Sequence, residues 1–130
     1  MASDPTGQAA AYQVVEAYGP GRFRISGEVF NSSVLVLPER TVAWPVASFE
    51  ELGEHHFSDM IAAAKGIEIL LLGCGARMQL VPPSLRNALR AAGIVLEPMD
   101  TGAAARTFNL LLSEDRRVAA ALIVLPEDQS

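Results

Sequence analysis

The stretch Glu68-Ile-Leu-Leu-Leu-Gly-Cys-Gly-Ala-Arg77 decides how this chain folds. Its continuous apolar run stops at a Gly-Cys-Gly turn, and a helical pattern, Pro83–Ala92, follows shortly after. A strand without polar alternation is what the middle of a parallel sheet requires, because helices cover both of its faces. A buried strand feeding a glycine turn and then a helix builds the concave edge of an open α/β sheet, where ligands sit. The stretch thus marks a candidate site without naming a ligand.

Downstream, Pro82-Pro83-Ser84 opens a helix to Ala92 and Gly93 stops it. Ile94–Glu97 reads as a strand, Asp100-Thr101 caps a helix from about Gly102 to Leu112, and Val118–Val124 is the last strand. This β-α-β-α-β order implies right-handed crossovers and a largely parallel core. Upstream, the short runs Tyr12–Ala17, Arg22–Ile25, Glu28–Phe30, Ser33–Leu37 and Thr41–Val46 are separated by tight turns such as Ser26-Gly27, which predicts an antiparallel meander. Ser48 with Glu51 fits a capping box. The firmer helical pattern there is Phe57–Ala64, stopped by Gly66, which leaves His55-His56 in a solvated loop or at the helix start. The fold class is α/β, in three layers (β/β/α), with an N-terminal antiparallel β-meander packed with a C-terminal β-α-β-α-β unit. Residues 1–11 read as a flexible tail, 12–125 as a single globular domain and 126–130 as a C-terminal tail.

Of the 130 residues, half are apolar and 19% are charged, a globular composition. The net charge of −5 argues against a general nucleic-acid binder, which needs a basic face for phosphates. One cysteine rules out an intrachain disulfide, so nothing calls for an oxidising compartment. The N-terminus lacks the basic and apolar regions of a signal peptide. No apolar run approaches the roughly 20 residues of a membrane-spanning helix. These features point to a soluble, cytoplasmic protein.

Several segments together resemble a known family: Tyr18-Gly-Pro-Gly-Arg-Phe-Arg-Ile-Ser-Gly27, Trp44 after the meander, Glu68–Gly75, Leu89-Arg-Ala-Ala-Gly-Ile94, Met99-Asp-Thr101, Thr107-Phe-Asn-Leu-Leu111 and Arg117-Val-Ala-Ala-Ala-Leu122. In order and spacing they resemble the family of the mitochondrial complex I assembly factor 3 and its small bacterial and archaeal relatives of unassigned function. The resemblance covers roughly residues 12–125. It implies a β-meander layered on a βαβ-type unit, no established reaction, and, for the mitochondrial members, assembly by protein contact. The family commonly has Gly-Thr-Gly where this chain has Gly73-Cys74-Gly75, so a hydroxyl is missing there.

The candidate chemistry gathers at the same turn. Gly73-Cys74-Gly75-Ala76-Arg77-Met78 lacks the third glycine of a dinucleotide fingerprint, and a tight structural turn is the simpler reading. Cys74 is either a thiolate activated by Arg77 or a small buried filler. The adjacent His55 and His56 diverge too much to share one metal ion. Arg77, Arg86 and Arg90 either gather an anion or form the solvent face of a helix whose Leu85 and Leu89 point inward. Asp100 and Thr101 cap a helix, and Asn109 either binds a ligand or ties helix to sheet.

No nucleophile–base pair, metal cluster or phosphate loop is complete, so no catalytic residue, metal or cofactor is expected. The first reading is a non-enzymatic protein-interaction or assembly-factor-like domain. Its partner is a protein, and its exposed meander strands are free to pair into a homo-oligomer. The alternative is a small-ligand-binding or enzymatic domain built on the cleft edge at Gly73, Cys74, Gly75 and Arg77, with Asp100 and Asn109 nearby.

Overall fold

The computed structural model describes residues 12–127. Within them the order is β1 (Val15–Gly19), β2 (Arg22–Ile25), β3 (Glu28–Phe30), β4 (Val34–Val36), β5 (Thr41–Ala43), α1 (Glu54–Ala63), β6 (Ile69–Gly73), α2 (Pro83–Ala91), β7 (Val95–Met99), α3 (Thr101–Ser113) and β8 (Val118–Leu122). The strands form two sheets, an antiparallel β1-β2-β3 and a five-stranded β5-β4-β8-β6-β7. In the larger sheet β6 runs parallel to both β7 and β8, and β4 runs antiparallel to β8 and β5. The expected β-α-β-α-β unit therefore supplies the three parallel strands.

The meander divides between the sheets for a physical reason. Val34, Leu35 and Val36 are all buried, so β4 needs cover on both faces and finds it beside β8. β2 alternates exposed and buried residues, so its sheet keeps one face in water.

The leucine run of β6 serves both faces of the larger sheet, because successive side chains point to opposite sides. Leu70, Leu72 and Cys74 join Met60 of α1, Leu85 and Leu89 of α2, and Trp44. Leu71 joins Phe108 and Ala104 of α3 together with Phe23 and Ile25 of β2. Thus α1 and α2 cover one face, while α3 and the three-stranded sheet share the other, giving three layers. The Tyr18 ring of β1 lies over Gly102 of α3, and its hydroxyl accepts a hydrogen bond from Arg106.

Several element boundaries depart from the sequence pattern, among them the end of β5 at Ala43 rather than Val46. β1 begins three residues later than Tyr12. β7 continues through Pro98 because that residue's missing N–H would point away from β6, where an edge strand has no ladder bond to lose. α1 begins at Glu54 rather than Phe57, preceded by one 3₁₀ turn at Phe49–Glu51. Ser48 makes no side-chain cap; Glu51 instead accepts a hydrogen bond from the Ala47 amide (3.0 Å). The cap of α1 comes from His56, whose Nδ1 accepts from the Gly53 amide at 3.0 Å. His56 is consequently buried in the first helical turn, which corrects its placement as a solvated loop residue.

The expected tail at residues 1–11 lies outside the described residues, as do residues 128–130 of the expected C-terminal tail. Of the latter, Glu127 is described, and its side chain occupies the space a Cβ on Gly21 would need. No helix among the described residues is long and apolar enough to cross a membrane.

Candidate functional site

The C-terminal ends of β6, β7 and β8 meet at Gly73-Cys74-Gly75. The connection after β6 leads to α2 on one face of the sheet and that after β7 to α3 on the other. Where neighbouring connections diverge in this way, an open α/β sheet forms a crevice. Here the chain's own groups stitch the crevice together. The Thr101 hydroxyl accepts a hydrogen bond from the Gly75 amide (2.9 Å) and donates to the Ile123 carbonyl (2.7 Å). The Thr101 amide donates to the Gly75 carbonyl (2.8 Å), Cys74 to Met99 (2.8 Å) and Ile123 to Gly73 (3.0 Å). Thr101 is fully buried in this knot.

The glycines follow from that packing. A Cβ on Gly73 would stand 2.9 Å from Thr101 Cα and 3.1 Å from Leu122 Cδ2, so the start of α3 approaches β6 too closely for a side chain. Gly75 has φ +100°, a left-handed backbone that side chains rarely adopt. Two devices that bind anions elsewhere are occupied from within: the Gly75 amide by Thr101, and the N-terminus of α3 by Asp100, whose carboxylate accepts from the Ala103 amide at 2.8 Å.

Cys74 points to the α1/α2 side and is 4% exposed. Its thiol donates to the Leu72 carbonyl (3.6 Å). Burial pushes the thiol's pKa up; backbone hydrogen bonds at Gln79 and Met99 oppose the rise, and the Asp100 carboxylate adds a smaller one. Of the two readings of Cys74, the burial and the raised pKa favour the small buried filler over a thiolate activated by Arg77. Arg77 lies exposed in the loop beyond the turn. A shallow cleft of about 140 Å³ remains beside Cys74, with Phe49, Gln79, Val124 and Pro126 among its walls.

Of the residues singled out in the sequence, Gly73, Cys74, Gly75 and Asp100 come together. Asn109 does not: it lies eight residues along α3 from Thr101, about 12 Å at a helical rise of 1.5 Å. Its side chain meets β1 at two points, Oδ1 accepting from the Val15 amide and Nδ2 donating to the Val15 carbonyl, each at 2.9 Å. Arg86 is also spent on structure, its guanidinium donating to the Leu96 carbonyl (3.2 Å) on the outer edge of β7, while Arg90 is exposed. The His55 and His56 side chains do not diverge as expected: their ring centroids lie 3.8 Å apart with the planes tilted by 42°, and His56 and Trp44 meet edge to face. No group of three or more His, Cys, Asp or Glu residues able to hold a metal ion occurs among the described residues. The sequence reading gave Thr101 only a capping role; its signal was a hydroxyl residue directly after the strand end, beside the Asp100 cap.

Comparison with known proteins places this geometry in context. Residues 15–123 match a family described as a protein of unknown function, DUF498/DUF598. An uncharacterised protein of Rhodobacter capsulatus is 40% identical over 112 residues, covering 86% of this chain and 85% of that one. The NADH dehydrogenase (ubiquinone) 1 alpha subcomplex assembly factor 3 of Danio rerio is 36% identical over 119 residues, covering 92% of this chain and 68% of the assembly factor. The crystal structure of a Bordetella parapertussis protein is similar with a TM-score of 0.82 at 36% identity, covering 89% of this chain and 98% of that one.

Proposed function

The chain belongs to the DUF498/DUF598 family, which includes assembly factor 3, and from that premise we propose that it is a non-enzymatic, assembly-factor-like domain that works by binding another protein. The observation that carries this reading is the knot around Thr101. The crevice in which an α/β domain of this topology would hold a ligand has its amides and its helix N-terminus satisfied from within. A domain whose crevice has its polar groups spent from within has its outer surfaces left for recognition, and the acidic net charge of −5 directs that recognition to proteins rather than nucleic acids. The relatives' name makes a subunit of an NADH dehydrogenase the first client to test. The proposed location is the cytoplasm.

Affinity capture of the tagged chain from its native cells, with co-purifying proteins and retained small molecules both identified, tests the reading. A stoichiometric protein client without a retained small molecule is the expected result. A metabolite or nucleotide held at the Cys74 cleft would overturn it and make the chain a ligand-binding domain.

A further inference from the structure

The molecule treats its sheet edges unequally. The outer edge of β7 is blocked, with the Leu96 carbonyl taken by Arg86 and with Pro98 lacking an N–H. The outer edge of β1 is closed by the two-point contact of Asn109 with Val15. β5 runs into Pro45 and has the Gln13 side chain bonded to the Thr41 hydroxyl at its start. Among the described residues nothing covers the outer edge of β3 in this way. The two-residue turn Ser26-Gly27, with φ of 48° and 85°, makes Ile25 and Glu28 the closing pair of its hairpin. Ladder alternation then points the Val29 amide and carbonyl away from β2. The Val29 side chain is 53% exposed.

The face beside this edge is likewise uncovered among the described residues. Ala17 and Gly19 of β1 are small, and with Arg22, Arg24 and Val29 they line a hollow of about 310 Å³ on the outer side of the sheet. Two guanidinium groups border it in a chain of net charge −5. Arg24 shares the Glu16 carboxylate (3.3 Å) with the Gly27 amide, and Arg22 has no ion-pair partner among the described residues. Glu28 lies on the opposite face from Val29 by the alternation of the strand.

We propose that β3 is extended by an added strand, an extended acidic segment of the partner protein, which bonds to the Val29 backbone and sets its carboxylates over Arg22 and Arg24. This rests on the protein-binding reading above. Strands lie about 4.8 Å apart, so an added strand runs about 10 Å from β2, a gap that an arginine and a glutamate reaching toward each other can span. Main-chain bonds along the edge supply affinity, and the arginines select for acidic side chains.

A fluorescein-labelled peptide of alternating valine and glutamate, and the same peptide with lysine for glutamate, probe the site by anisotropy, with amide NMR shifts to locate binding on the full chain. The expected result is binding of the glutamate peptide alone, with shifts centred on Val29 and Arg24. Combined Arg22→Gln and Arg24→Gln should weaken it at least about tenfold with only a small change in melting temperature, since the Arg24–Glu16 pair is exposed. Val29→Pro, tolerated on an edge strand, should abolish the main-chain component. Equal binding of both peptides, no binding, or shifts mapping elsewhere would overturn the proposal. So would a dimer in sedimentation equilibrium that Val29→Pro dissolves, since the edge would then belong to a second copy. If the captured client still binds the double arginine variant, this surface is wrong while the protein-binding reading stands.

Discussion

The turn at Gly73–Gly75 and the outer face of β1–β3 use their polar groups in opposite ways. At the turn, the Gly75 amide, the Thr101 hydroxyl and the Asp100 carboxylate are paired within the chain, and glycine is required because backbone meets backbone. On the outer face, small residues leave a hollow, and arginines border it beside an uncovered strand edge. A glycine-rich turn at a strand end is conspicuous in sequence because crowding dictates it, and here the crowded polar groups are already paired. A surface that receives one is built from residues that look ordinary, such as Arg22, Arg24 and Val29.

The sharpest way to break this contrast is to add a side chain in each region. Gly73→Val should cost about 3 kcal/mol or prevent folding, because the new atoms meet Thr101 Cα, which cannot rotate away. Gly19→Ala, with nothing within 4 Å of its Cβ, should stay within about 0.5 kcal/mol of the parent. Urea unfolding of both variants decides it; equal losses would mean that the turn is no tighter than the open face. Thr101→Val comes next, at about 2 kcal/mol, since it leaves the Gly75 amide and the Ile123 carbonyl without their buried partner. Faster hydrogen exchange at the Gly75 amide should accompany that loss, and unchanged exchange would count against the knot.

Much of this architecture was legible. The run Ile69–Leu72 carries no polar alternation, and it became an interior strand, between β8 and β7, covered on both faces. Asp100 reads as a cap and caps α3. What stayed hidden depends on contacts distant in sequence. Nothing local to Val34–Val36 says that β4 leaves the meander to pair with β8, because that choice is settled by residues some 85 positions later. The role of His56 as a cap was masked by its type, since glutamate or glutamine normally fills that position. At the site, Gly73, Cys74, Gly75 and Asp100 meet because adjacent strand ends carry them, whereas Asn109 faces a strand that arrives from the far end of the chain.

Asn109→Ala sharpens the comparison from the sheet side. It removes one donor and one acceptor from a partly buried contact, for an expected loss of about 1 kcal/mol, smaller than at Thr101 because water reaches the freed groups. Exchange at the Val15 amide should accelerate while that at Gly75 stays slow. If both accelerate together, the turn and the small sheet are one cooperative unit.

Cys74 gives the smallest effect and tests whether the turn is closed to solvent. Its thiol pKa in the folded chain stands above the ordinary value of 9.0, raised first by burial. Below that value both folded and unfolded chains hold the proton, and the thiol's contribution to stability is complete. As pH rises past it, the unfolded chain ionises first and stability falls, until the folded thiol also ionises. The slope cannot exceed about 1.4 kcal/mol per pH unit for one proton. Urea midpoints between pH 7 and 10 should therefore decline more steeply for the parent than for Cys74→Thr, which has no thiol to ionise. Iodoacetamide at pH 7 should label the native thiol far more slowly than the unfolded one. Rapid native labelling, with no difference in slope between the two proteins, would mean that the turn is open, and the contrast with the outer face of β1–β3 would no longer hold.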